Sequence, residues 1–422
     1  MNILVLNNIS YFHKENRLHY SLMKGFNLTK AFVELGHTVY FATKGKEETY
    51  NNVLLYPYKN INKKFLENIN LILFIRETTF EKWLNLIHDL KELFMLGSKN
   101  RKQIIGIKTD SPVSAFRKKG KKEVFITLET IYNNFTFICA QNKGSKILAN
   151  ELFNNKKNDK FIITEMAIEP LNIEKIKEYS NPYLNYDYCV DNFTQLDLNK
   201  ALFPLPFISN YRIKPLPCVK KQKRLVYTGR LKINKGGIFY ILRDIMKKLG
   251  SEYELHLFAG SANIPNIEMK ALSSKDNNTK QIIRDCIFTG MNNVYVHSAY
   301  KYDDIERWKW FYYADCGIDF SVSRPKVPKN KNKLSANCKI LDYLTIGLPC
   351  ITENSVENSY LVKESGGGLI IMGIGTVDTY CKGIKQICNT NYDRQKIRDY
   401  MNNNHSWFIR GKEFIKDINK LK

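Results

Sequence analysis

Two series of short apolar segments, each alternating with amphipathic stretches and parted by a proline-interrupted region, constrain this chain more than any other feature. In the first series, 3–6, 37–42, 70–75, 103–107, 135–140 and 161–164 read as strands. Residues 18–35 read as a helix, with Leu22, Phe26, Ala31 and Leu35 near helical spacing and Gly36 as its stop. Residues 83–94 read as another. The second series runs through strands at 224–227, 253–258, 294–296, 316–320 and 349–351, with helices at 238–249, 303–313 and 338–345 and a last helix at 407–421. Between the two series lie Pro182, Pro204, Pro206, Pro215 and Pro217. Apolar strands alternating with helices predict parallel sheets covered on both faces. At roughly 150 residues per domain, 422 residues exceed one core.

Composition removes several classes. Hydrophobic residues at 44% and charged residues at 25% exclude a chain dominated by disorder. No apolar run approaches the roughly 20 residues needed to span a bilayer. The opening Met1-Asn2-Ile3-Leu4-Val5-Leu6 lacks the basic region and cleavage site of a signal peptide, so a cytoplasmic protein is expected. Nine cysteines without a Cys-x-x-Cys pair predict reduced thiols and no zinc site. Lys and Arg number 65 against 41 Asp and Glu, a net charge of +24. Such a surface draws polyanions, namely nucleic acid, anionic membrane or phosphorylated substrates. The basic runs 117–122 and 326–333 read as exposed loops.

Two stretches carry candidate chemistry. In Val226-Tyr227-Thr228-Gly229-Arg230-Leu231, followed by Lys235-Gly236-Gly237, a strand runs through a glycine turn into a helix. Free amides at a helix start, with Arg230 and Lys235 adding charge, suit a phosphate. The alternative is a tight turn with two exposed cations. In the second stretch, 337–351, a helix ends at Gly347 and Pro349 opens a strand. Asn337 and Lys339 lie at its start. Asp342, one turn on from Lys339, could accept bonds from ribose hydroxyls. The alternative is an ion pair between Lys339 and Asp342 on the helix surface.

These stretches, with others in order, resemble the nucleotide-sugar-binding half of the retaining GT-B glycosyltransferases. The others are the strand 255–258, Phe288-Thr289-Gly290 or 294–298, Tyr312 to Asp315, Gly366-Gly367-Gly368-Leu369-Ile370, and His405-Ser406-Trp407 before the last helix. The opening strand and Leu35-Gly36-His37-Thr38-Val39 fit as well. The resemblance implies an α/β chain of two Rossmann-like parallel-sheet domains facing each other across a cleft. An N-terminal acceptor domain would span 1–170 and an interdomain region or insertion 171–222. A nucleotide-sugar-binding domain would span 223–404, and a helix at 405–422 would cross back to the N-terminal domain.

It also implies that Arg230 and Lys235 hold the donor diphosphate and act in catalysis, and that Asp342 holds the ribose. Gly229, Asn337 and Lys339 complete the donor set. Asp342 stands at the second of the family's two acidic positions; the first, beside the transferred sugar, would fall at Leu334, which cannot fill that role. The donor would be a UDP-, GDP- or ADP-linked sugar, with no metal and no other cofactor. On the acceptor side Asp110, at a predicted strand end and the catalytic candidate there, or His13 could touch the sugar or the acceptor hydroxyl; the alternative for either, and for Glu129, is a capping or loop residue. Asp303-Asp304 reads as a helix cap.

The implied activity is transfer of a sugar to an acceptor hydroxyl with retention. The acceptor would be a saccharide or lipid-linked glycan, with the basic surface contacting the membrane's inner face. Glycosylation of hydroxymethylated DNA is the second reading. A sugar-nucleotide epimerase or a non-enzymatic nucleic-acid-binding protein stand outside the transferases.

Overall fold

The computed structural model describes residues 1–7, 20–43, 45–75, 88, 90–108, 121–140, 142–152, 160–184, 222–229, 236–259, 291, 293–297, 305–320 and 338–421. They fall into two compact units. One comprises the described residues of Met1–Glu169 with Asn403–Lys422; the other comprises those of Pro170–Asn332 with Asn337–Asn402.

The first unit is built on an eight-stranded sheet ordered β3-β4-β2-β1-β5-β6-β7-β8. Its strands are β1 (Asn2–Asn7), β2 (Thr38–Thr43), β3 (Glu48–Tyr50), β4 (Val53–Pro57), β5 (Leu71–Ile75), β6 (Ile104–Lys108), β7 (Phe137–Ala140) and β8 (Phe161–Ile163). All neighbours pair in parallel except β3 with β4. Helices α1 (Tyr20–Glu34), α2 (Lys63–Glu67), α3 (Lys121–Asn134) and α4 (Lys143–Leu152) connect them. Successive residues of β1 feed opposite layers: Ile3 and Val5 enter one core, Leu4 and Leu6 the other. That two-sided burial is why the strand reads as an unbroken apolar run.

The hairpin β3–β4 is absent from the sequence reading. Glu48 pairs with Leu55 and Tyr50 with Val53, so only Asn51 and Asn52 turn the chain. Both have positive φ (47° and 62°), which two-residue hairpin turns demand and asparagine tolerates. The run 117–122 is also corrected in part: Lys121 and Lys122 open α3 rather than a loop.

The second unit carries a six-stranded parallel sheet ordered β11-β10-β9-β12-β13-β14. Its strands are β9 (Lys223–Gly229), β10 (Tyr253–Ala259), β11 (Val294–His297), β12 (Cys316–Ile318), β13 (Cys350–Glu353) and β14 (Gly368–Ile371). Its helices are α5 (Ile173–Lys177), α6 (Gly236–Leu249), α7 (Ile305–Tyr313), α8 (Cys338–Thr345), α9 (Val356–Ser365), α10 (Val377–Asn389) and, as far as Asn402, α11 (Arg394–His405). This is the 3-2-1-4-5-6 order of doubly wound folds. The segment 172–184 packs within this unit. Tyr183 is buried, donates to the Trp310 carbonyl at 2.9 Å and meets that indole edge-on.

The last helix, α12 (Trp407–Asn419), belongs to the first unit. A Cβ on Gly411 would stand 2.9 Å from that of Ala31, so α1 and α12 approach closely. Phe414 meets Phe32 and Phe137 at 5.5 and 5.7 Å between ring centres. Ser406 caps α12 by accepting the Ile409 amide, and Ile168 and Ser406 form a parallel bridge. Arg410 binds Glu165 and Glu413, each at 2.6 Å, and the His405 Nδ1 at 2.7 Å.

Among the described residues no helix is long and apolar enough to cross a membrane. Cys139, Cys316, Cys338, Cys350, Cys381 and Cys388 are free thiols. Cys189, Cys218 and Cys286, the helix at 83–94 apart from its last turn, and the Asp303-Asp304 pair lie outside the described residues.

Burial, then the Arg410 and Lys143 charges, push the His405 pKa down to about 3. The unfolded chain takes up this proton near pH 6.5 while the fold refuses it, so stability falls as pH drops from there toward 3. His405→Gln should flatten the acid side of a urea-stability profile by up to about 1.4 kcal/mol per pH unit. An unchanged slope would exclude His405 as its source.

Candidate functional site

In a doubly wound sheet, ligands settle beyond the carboxyl ends of the strands where the order reverses. In the second unit that point lies between β9 and β12. β9 ends at Gly229, β12 ends at Ile318, and α8 begins nearby at Cys338.

β12 pairs with β9 only at Leu225 and Val226, so β9 outruns its partner. Tyr343 of α8 fills the gap. Its hydroxyl accepts the Thr228 amide at 3.0 Å and lies within donating distance of the Ile318 and Val226 carbonyls at 3.1 and 3.3 Å. Helix α8 is thereby fixed to both strand ends, and burial raises the Tyr343 phenol pKa well above its ordinary value.

The fixed helix delivers Lys339. Its Nζ lies 3.2 Å from Asp319 Oδ1 and 5.3 Å from the centre of the Tyr227 ring. A Cβ on Gly229 would sit 2.9 Å from Lys339 Cε, so the lysine stem occupies the space a side chain there would need. Asp319 has 0% exposure. Its Oδ2 accepts from Thr352 Oγ1 at 2.9 Å and Asn358 Nδ2 at 3.3 Å, and its carbonyl accepts the Tyr380 hydroxyl at 2.8 Å. Burial opposes the Lys339 charge, but Tyr227 and Asp319 beside it outweigh that, and the lysine pKa is raised. Glu353, equally buried at the end of β13, accepts the Gly375 amide at 2.7 Å.

Asp342 lies one turn further along α8. Its Oδ2 is 3.2 Å from a guanidinium nitrogen of Arg307 on α7, and that guanidinium also stacks over Trp308. Burial raises the Asp342 carboxyl pKa, with Arg307 and then Lys339 opposing. The alternative of a Lys339–Asp342 surface pair is therefore corrected. The two share a face of α8, but Lys339 pairs with Asp319 and Asp342 with Arg307, because each finds its partner across the fold.

Of the sequence-predicted donor residues, Gly229 and Lys339 meet directly and Asp342 stands beside them. Arg230, Lys235 and Asn337 lie outside the described residues, as do Asp110 and His13 on the acceptor side. Glu129 lies within α3. Asp319, Thr352, Glu353, Asn358, Arg307 and Tyr343 were missed. Asp319 alone left a signal, an acid closing an apolar strand. Among the described residues no group of three or more His, Cys, Asp or Glu side chains is arranged to hold a metal.

Tyr343→Phe should leave the buried Thr228 amide without its acceptor. It should cost about 1–3 kcal/mol in urea unfolding. An unchanged midpoint would show that the phenol does not hold α8.

No family model matches the sequence, and no curated protein is significantly similar to it. Solved structures do match in shape. A glycosyltransferase from Rickettsia africae aligns over 100% of this chain and 98% of its own, at 11% identity and TM-score 0.54. Anabaena HepE, solved in complex with UDP-glucose, aligns over 100% of both chains at 10% identity and TM-score 0.57. Trehalose-6-phosphate synthase OtsA aligns over 99% of both at 12% identity and TM-score 0.60. With two parallel-dominated sheets in doubly wound order and whole-length matches to these enzymes, the chain has the GT-B fold of the glycosyltransferases.

Proposed function

We propose that this protein is a glycosyltransferase that moves a sugar from a nucleotide sugar to an acceptor hydroxyl. The observation that carries the reading is the meeting of Gly229, Lys339 and Asp319 at the switch point of the second sheet. A close-packed strand end, a helix start and a held cation suit a diphosphate. Whole-length similarity to HepE, solved with UDP-glucose, supports a nucleotide-sugar donor and favours UDP as its nucleotide.

In this reading Arg230 and Lys235 grip the diphosphate beyond Gly229, and the amides of α8 with Lys339 and Asn337 support it. Asp342, its charge held by Arg307, receives the ribose hydroxyls. As the acceptor oxygen bonds to the anomeric carbon, the bond from that carbon to the diphosphate breaks and the hydroxyl proton passes to the departing phosphate oxygen. The cations offset the charge that develops on the leaving group, which is where electrostatic catalysis has most effect. The transfer retains configuration and uses no metal. Asp110, two residues past the end of β6, meets the acceptor hydroxyl. The net charge of +24 supports an acceptor at an anionic surface, a lipid-linked glycan at the inner membrane face, or hydroxymethylated DNA in the second reading.

Wild-type protein with UDP-, GDP- or ADP-glucose and candidate acceptors should release nucleotide, and mass spectrometry should find the acceptor heavier by a hexose. Arg230→Ala and Lys235→Ala should each lower kcat by about 10²-fold or more with an unchanged melting temperature. Wild-type turnover in both variants would move the diphosphate site elsewhere. Binding of no nucleotide at all would favour a non-enzymatic protein.

A further inference from the structure

We infer that Asp319 is a positioning residue of the donor site, fixing the Lys339 ammonium beneath Gly229 so that a pre-aligned cation underlies the donor diphosphate. The inference rests on the nucleotide-sugar reading above and deepens it.

Lysine is a point charge on a flexible four-carbon stem, and left alone it samples many rotamers. Here the far end of the stem is constrained at two adjacent atoms. Cε lies against the Gly229 backbone, and Nζ is held at 3.2 Å by Asp319. Asp319 in turn is gripped from three separate elements: Thr352 on β13, Asn358 on α9 and Tyr380 on α10. Such tethering exceeds what neutralising one lysine requires. It fixes the direction of the cation before a ligand arrives, and prior alignment is what makes a charge effective toward a leaving group.

The pairing also sets the lysine's protonation. A buried lysine with no carboxylate beside it loses affinity for its proton. Among the described residues, the groups facing Nζ include Tyr227 from β9 and Asp319 just past β12, with Cys338 and Asp342 on its own helix. Tyr227, buried with a raised pKa, favours the ammonium through its ring face, 5.3 Å from Nζ, and offers no carboxylate. Asp342 is engaged by Arg307. Asp319 is therefore the carboxylate given over to Lys339, and removing its charge should let the lysine deprotonate at lower pH.

The test is UDP binding by calorimetry on the full chain from about pH 7 to about pH 9. Wild-type affinity should stay flat on the Lys339 account. Asp319→Asn should bind roughly tenfold more weakly near pH 7 and weaken by about another tenfold toward pH 9. Lys339→Met should bind weakly at every pH, and adding Asp319→Asn to it should change nothing further, because the two residues act as one unit. A merely structural role would lower affinity without tilting the pH profile, and would add to the Lys339→Met loss; either result overturns the inference. If Asp319→Asn does not fold, Thr352→Val keeps the charge but removes one tether. It should weaken UDP binding about two- to threefold, and unchanged affinity would overturn the inference equally. Failure of the wild-type chain to bind UDP, GDP or ADP would remove the nucleotide-sugar reading itself, and this inference with it.

Discussion

A carboxylate with no solvent exposure at the end of a parallel strand must be paired, or the fold cannot hold it charged. Asp319 is that group, and the carboxyl-end architecture of the second sheet is arranged around it. Lys339 supplies the opposite charge from α8, Thr352 and Asn358 donate to the carboxylate from β13 and α9, and Tyr380 on α10 holds the Asp319 main-chain carbonyl. Losing one partner of such a pair costs about 3–5 kcal/mol, so the helix that carries Lys339 is not free to wander. Tyr343 acts in the same direction from the same helix, replacing with its hydroxyl the β12 partner that β9 lacks beyond Val226 on that edge. Two side chains of one short helix thus fix its N-terminal end against the strand tips where a ligand of this fold belongs.

That concentration explains the pattern of charges around α8. Asp342 faces Arg307 and Lys339 faces Asp319, so two ion pairs of opposite sense flank one helix turn. Each charge is held from outside its own helix. A local i,i+3 pair would have left both side chains on a solvated face, worth only a few tenths of a kcal/mol and of little use as a fixed electrostatic feature.

Much of the architecture was legible in the sequence, because buried parallel strands must be apolar throughout. β1, β5, β10 and β13 announce themselves in Ile3-Leu4-Val5, Leu71-Ile72-Leu73, Leu255 to Phe258 and Cys350-Ile351. The helix 338–345 was placed to the residue, since Gly347 and Pro349 close it. β3 and β4 were not seen. Their signal is the Asn51-Asn52 turn, easily lost beside the stronger glycine and proline punctuation elsewhere. Helices α3 and α4 were hidden by lysines and asparagines that mask their apolar stripes. For the site, Gly229, Lys339 and Asp342 could be named from local sequence, yet their partners could not. Asp319 and Arg307 are 20 and 35 residues away from Lys339 and Asp342, and nothing short of the folded sheet brings them together.

The helix Trp407–Asn419 has a consequence for how the chain is made. It packs into the first unit against α1, and Phe32 and Phe137 meet Phe414 there. When the ribosome has released residues 1–169, that apolar wall has no cover, and more than 230 residues must still be translated before the covering helix exists. The earlier-made unit is therefore the later one to be completed. Its nascent form carries a sticky aromatic seam through the whole synthesis of the second unit, a standing invitation to chaperones and a reason why the first 170 residues expressed alone should be poorly behaved.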